Sequence, residues 1–149
     1  MDKLYFLLMV VLGFEVMAME NAASLNSFDV TYQVSLGEDA TRALLDVYPA
    51  RDKLDAAVVI FWHGGALMQG DKQGVANLAQ TLADLGVTVV AANYRLSPDV
   101  QHPAHLQDAA AAVTWVKSHI KEYGGDPAQI FLSGHSAGAY LAVQLALDP

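Results

Sequence analysis

Ile130-Phe131-Leu132-Ser133-Gly134-His135-Ser136-Ala137-Gly138-Ala139-Tyr140-Leu141 carries the signature of the fold. A short apolar run enters a G-x-S-x-G pentapeptide, and the Ala- and Leu-rich segment from Ser136 to Leu147 that follows has helical character. Strand, sharp turn and helix in that order are the setting in which a serine is projected from a strained bend. The two glycines answer a steric need, since a turn this tight leaves no room for a Cβ two residues before or after the serine. Such a turn exposes Ser136 Oγ. It also leaves the Ala137 N–H at a helix N-terminus, where the dipole favours negative charge. Ser136 is therefore the candidate nucleophile and the Ala137 N–H a candidate oxyanion donor.

Upstream, Val58-Val59-Ile60-Phe61-Trp62 runs into His63-Gly64-Gly65-Ala66 and then towards a helix. Glycine lets the backbone turn its N–H groups towards a substrate carbonyl, so Gly65 and Ala66 join Ala137 as candidate donors. One such donor is worth about 3 kcal/mol in acyl transfer.

The remaining segments frame these two loops. Val58–Trp62 and Val87–Ala92 are continuously apolar, as parallel strands covered on both faces are. Phe28–Ser35 and Ala43–Tyr48 alternate, which predicts two antiparallel edge strands. Val75, Leu78, Ala79, Leu82 and Leu85 recur at helical spacing before Gly86. A second helix follows Pro103, with Leu106, Ala109, Ala110, Val113, Val116 and Ile120 on one side, and ends at Gly124-Gly125. The predicted order β-β-β-α-β-α-β-α stacks, through right-handed crossovers, into a doubly wound, mostly parallel α/β sheet.

The chain has 149 residues and no cysteine, with 54% hydrophobic and 16% charged residues. It can bury a single core, and it can form neither disulfides nor Cys-liganded metal sites. With 8 Lys+Arg against 16 Asp+Glu, a net charge of −8, and no basic stripe, nucleic acid is not an expected partner. Neither G-x-G-x-x-G nor a P-loop occurs, so a nucleotide-binding reading has no phosphate cradle. Lys3 precedes the apolar run Leu4–Phe14, and Val16-Met17-Ala18 offers a cleavage site, so residues 1–18 are expected to be a signal peptide of a secreted or periplasmic protein. The run is too short to span a bilayer, which takes about 20 apolar residues. Residues 19–27 then form an N-terminal segment, and 28–149 the α/β domain.

Four stretches together resemble the α/β-hydrolase superfamily, in its H-G-G carboxylesterase branch (hormone-sensitive-lipase-like, feruloyl-esterase-like and arylformamidase-like). They are His63–Ala66, Asn93-Tyr94-Arg95-Leu96-Ser97-Pro98, the helix from His102-Pro103 through Asp108-Ala109-Ala110, and Gly124-Gly125-Asp126-Pro127 leading to the Ser136 turn. The resemblance covers about Phe28 to Pro149. It implies a serine hydrolase of small esters or amides, acting through an acyl-enzyme on Ser136 with no metal or organic cofactor. Many relatives have a third glycine where Ala66 stands, which leaves the shape of this loop open.

That superfamily supplies the acid and histidine of its triad after the serine. Only residues 137–149 follow Ser136 here, with Asp148 the sole acid and no histidine. The domain is thus expected to be the N-terminal portion of a longer hydrolase, truncated after the elbow helix, with a non-catalytic product as the alternative. A strand left at the sheet edge would invite association with another chain. His63 and His135 are expected to fix loop conformation, His102 and His105 to lie at a turn and helix start, and His119 on a solvated face. Arg95 is expected to pair structurally with Asp99 or Asp108.

Overall fold

Along the third strand, Val58, Ile60 and Trp62 point into one core and Phe61 into another, so this strand is sandwiched between two helical layers. In the computed structural model, residues 25–33 and 41–147 are described. Five strands, β1 (Ser27–Thr31), β2 (Leu44–Tyr48), β3 (Ala56–Trp62), β4 (Thr88–Ala92) and β5 (Gly125–Gly134), form one sheet in the order β1-β2-β4-β3-β5. The pairs β1–β2 and β2–β4 are antiparallel, whereas β4–β3 and β3–β5 are parallel. Helix α1 (Ala76–Asp84) covers one face. Helices α2 (Ala104–His119) and α3 (Ala137–Leu147) cover the other.

The register sets the site. Trp62 lies opposite both Ala92 and Gly134, so β3, β4 and β5 end together, and the loops leaving their carboxyl ends converge. That is where ligands bind in open parallel sheets.

The expected element order holds, with local differences. The predicted strand Phe28–Ser35 is interrupted early: Asp29 takes φ 55°, the register shifts between Ser27 and Val30, and Phe28 stays exposed against the edge of the Tyr48 ring. Val34 and Ser35 lie outside the described residues, as do residues 1–18 of the expected signal peptide and Asp148. Helix α1 is preceded by a 3-10 turn, Lys72–Val75, rather than beginning at Val75. On α2 the buried face includes His105 and Asp108, polar residues that an apolar pattern cannot flag. Among the described residues β5 is outermost, and Phe131 on it is 56% exposed. No helix among them is long and apolar enough to cross a membrane.

Candidate active site

Strand β5 ends at Gly134 and α3 begins at Ala137, leaving two residues to reverse the chain. Ser136 absorbs the bend at φ 52°, in the left-handed region that L-residues with a Cβ rarely occupy. The turn is closed by Gly138 N–H donating to the His135 carbonyl at 2.9 Å and Tyr140 N–H donating to that of Ser136 at 3.0 Å. Both motif glycines are sterically required. A Cβ on Gly134 would lie 2.4 Å from the Gly138 carbonyl carbon, and one on Gly138 only 2.0 Å from the Trp62 oxygen. Ser136 is exposed, and its hydroxyl makes no hydrogen bond to any described residue.

The loop after β3 packs against this turn. His135 N–H donates to the Trp62 carbonyl at 3.2 Å, and a Cβ on Gly64 would sit 3.3 Å from Ser136 Cβ. Gly65, Ala66 and Leu67 follow with φ of 121°, 56° and 61°. Three successive positive φ values coil the loop on itself, so that Met68 and Gln69 both donate to the Gly65 carbonyl, at 3.0 and 3.1 Å. Ala66 thus takes the left-handed conformation that a third glycine would adopt more cheaply. Of the expected site residues, Ala137 adjoins Ser136 in the chain, while Gly65 and Ala66 follow directly on Gly64, where an added Cβ would meet Ser136 Cβ. A cavity of about 500 Å³ is lined by Phe61, His63, Gly64, Asp71, Leu78 and His135 among others; Ser136, Gly65, Ala66 and Ala137 do not line it.

Behind the loop lies a polar cluster. The Arg42 guanidinium donates to the Tyr94 carbonyl (Nε, 3.1 Å), to Asp71 (Nη1, 3.2 Å) and to the Gly70 carbonyl (Nη2, 3.1 Å), and its Nη2 lies 3.3 Å from His63 Nε2. Asn93 Nδ2 also donates to Asp71, at 2.8 Å. Burial alone would raise the Asp71 pKa, but the Gln73 N–H, Asn93 and Arg42 together outweigh it and hold the carboxyl below its ordinary value. Sequence reading missed Arg42 and Asp71. Neither belongs to a periodic pattern or a motif weighed from the sequence, and they meet only when the sheet closes.

His63 is buried, stacked on Tyr94 with ring centroids 4.5 Å apart, and its Nδ1 lies 2.7 Å from the Gly64 carbonyl. Burial, reinforced by the Arg42 charge, keeps the imidazole pKa below its ordinary value. With both nitrogens engaged, His63 serves the loop and is not placed to act as a base. His135 is exposed on the elbow itself. His105 is buried, with Nε2 3.2 Å from Ser97 Oγ. His119 differs from expectation: it is half-buried, stacked on Trp115 at 4.7 Å, because an imidazole four residues on lies over the indole. Arg95 pairs with Asp108, one of its two expected partners, with Nη2 2.7 Å from a fully buried carboxylate.

A parallel sheet whose strained serine turn faces a glycine loop from the neighbouring strand defines the α/β-hydrolase class. The chain belongs to the BD-FAE family, whose profile matches residues 45–148. It is 44% identical over 120 residues to a probable carboxylic ester hydrolase, LipM, of Mycobacterium tuberculosis, covering 78% of this chain and 28% of that protein. It is 39% identical over 111 residues to a probable isoprenylcysteine alpha-carbonyl methylesterase of Oryza sativa, covering 74% of this chain and 27% of the relative. Among solved structures it resembles the Thermogutta terrifontis esterase Est2 (TM-score 0.67, 27% identity, 78% of this chain and 43% of that one). Esterase B of Lactobacillus rhamnosis is similar too (TM-score 0.71, 26% identity, 88% and 45%). The chain therefore spans less than a third of the length of these curated relatives, which are carboxylic ester hydrolases.

Proposed function

We propose that this chain is the nucleophile-bearing portion of a serine hydrolase of carboxylic esters, extending to amides or formamides. Ser136 Oγ attacks the substrate carbonyl carbon while its proton passes to a histidine. The C–O bond to the leaving alcohol then breaks as that proton is returned, and water hydrolyses the acyl-enzyme by the same path in reverse. The N–H groups of Gly65, Ala66 and Ala137 hold the oxyanion. The observation that carries this reading is the left-handed Ser136 just after β5, so close to the glycine loop that a Cβ added at Gly64 would lie 3.3 Å from its Cβ. A non-Gly residue in that strained conformation is what a projected nucleophile requires.

A fluorophosphonate probe tests it: adduct on the Ser136 peptide, absent in Ser136→Ala, is expected wherever the histidine is present. For residues 1–149 alone, p-nitrophenyl acetate turnover about 10⁶ below that of an intact serine hydrolase is expected. Hydrolysis that survives Ser136→Ala would overturn the reading. Ordinary esterase rates from residues 1–149 would overturn the external histidine. The alternative, a non-catalytic chain acting through association, draws on the exposed Phe131, Val143 and Leu147 around β5 and α3. The apolar run Leu4–Phe14 supports export, which a mature N-terminus at residue 19 would demonstrate.

A further inference from the structure

The chemistry of one side chain propagates to the peptide beside the serine. A guanidinium has donors only, so the 3.3 Å contact between Arg42 Nη2 and His63 Nε2 requires a bare lone pair on Nε2. The proton must then sit on Nδ1, which donates to the Gly64 carbonyl at 2.7 Å. Peptide units are planar and trans, so a Gly64 C=O drawn towards His63 obliges the Gly65 N–H to point the opposite way. Gly65, at φ 121°, has no Cβ to restrict it, and a peptide between two glycines flips easily unless something holds it.

We infer that Arg42 is a positioning residue which, by fixing the tautomer of His63, holds the Gly64–Gly65 peptide and so aims the Gly65 N–H. Arg42 suits this task because its fork also ties the far end of the same loop, at Gly70 and Asp71, to the end of β4 at Tyr94. The relay thus spans both ends of the loop from a single point outside it. Its catalytic meaning rests on reading the Gly65 N–H as an oxyanion donor. The tautomer and peptide hold do not depend on that reading.

The groups facing His63 are Arg42, Asp71, Asn93 and the Tyr94 ring, so its titration reports this cluster. Two-bond ¹H–¹⁵N correlation spectra of the full chain read the tautomer directly. The wild type is expected to show neutral His63 protonated at Nδ1 and bare at Nε2 at about pH 8. In Arg42→Met the proton redistributes towards Nε2, His63 titrates at higher pH, and the Gly65 amide resonance moves while those of β3 and β5 stay. Arg42→Lys, a single point donor, retains the effect only in part. If Arg42→Met does not fold, His63→Asn and His63→Leu decide. The asparagine Nδ2 replaces Nδ1 and preserves the Gly65 resonance, whereas leucine does not. Where Ser136-dependent hydrolysis is measurable, Arg42→Met lowers kcat about tenfold or more and changes KM less than about twofold. An unchanged tautomer and Gly65 resonance in folded Arg42→Met would refute the relay. Hydrolysis independent of Ser136 would refute the proposed function and leave the relay standing.

Discussion

Gly138 and Trp62 meet backbone to backbone: a Cβ on Gly138 would lie 2.0 Å from the Trp62 carbonyl oxygen and 2.7 Å from that of His63. The first turn of α3 is thereby pressed onto the end of β3, and this contact brings the serine turn and the glycine loop together. Backbone cannot retreat as a flexible side chain can, so Gly138→Ala must move either the helix or the strand. We expect a loss of about 3 kcal/mol or more in unfolding free energy, measured by urea denaturation. Gly74→Ala is the control. Nothing lies within 4 Å of its added Cβ, so it should be neutral or stabilising by up to about 1 kcal/mol. Equal effects at the two positions would remove the steric account.

Ser136 carries strain that its own side chain creates. At φ 52° a Cβ costs about 1 kcal/mol relative to glycine, partly offset by glycine's greater freedom when unfolded. Ser136→Gly should therefore leave stability unchanged or raise it by up to about 1 kcal/mol, and Ser136→Ala should match the wild type. A Ser136→Gly protein clearly less stable than Ser136→Ala would mean that the turn stores no strain.

How far these features were legible in the sequence depends on the range over which each is determined. The Ser136 turn was legible because its strand, glycines and helix are contiguous and their spacing is a local steric requirement. The parallel centre of the sheet was legible because Val58–Trp62 is wholly apolar and Val87–Ala92 is apolar apart from Thr88. The strand order β2-β4-β3-β5 places neighbours far apart in the chain, and periodicity holds no information on pairing. Arg42 and Asp71 escaped for a related reason: a charge in a polar turn looks solvated until folding sets His63 and Tyr94 beside it. The burial of His105 and Asp108 on α2 was hidden from its apolar pattern in the same way, although the pairing of Arg95 with Asp108 was among the expected ones.

Two imidazoles resist protonation in the folded protein. Burial first, then the Arg42 charge, holds His63 below its ordinary value of 6.5, and burial does the same for His105, where Asp108 pulls upward and His102 and Arg95 downward. In the unfolded chain both titrate normally. The unfolded state therefore binds more protons between 6.5 and the lower folded values, and stability must rise with pH across that window. It is fully present above 6.5 and is lost as pH falls through the folded values. Denaturation midpoints measured from about pH 7 to about pH 5 should decline, and the decline should be shallower in His63→Asn combined with His105→Gln. Midpoints flat over this range would show that neither histidine is held neutral.

Lys72 is a buried cation on the 3-10 turn before α1, its Nζ 2.7 Å from both Asp29 and Asp46, and the Asp46 side chain is only 4% exposed. Burial alone would lower the lysine pKa, but the two carboxylates outweigh it and raise it. Removing the cation strands a desolvated carboxylate, whereas removing both charges does not. Lys72→Met should therefore cost about 3 to 5 kcal/mol, and adding Asp46→Asn should recover more than half of it, because the amide oxygen can still accept from the Asp29 N–H now 2.9 Å away. The turn also carries Asp71, which Arg42 holds, so Lys72→Met should loosen the loop end at Gly70 and speed amide exchange there. Additive effects of the two substitutions, with no recovery, would show that the lysine contributes through its methylene packing rather than its charge.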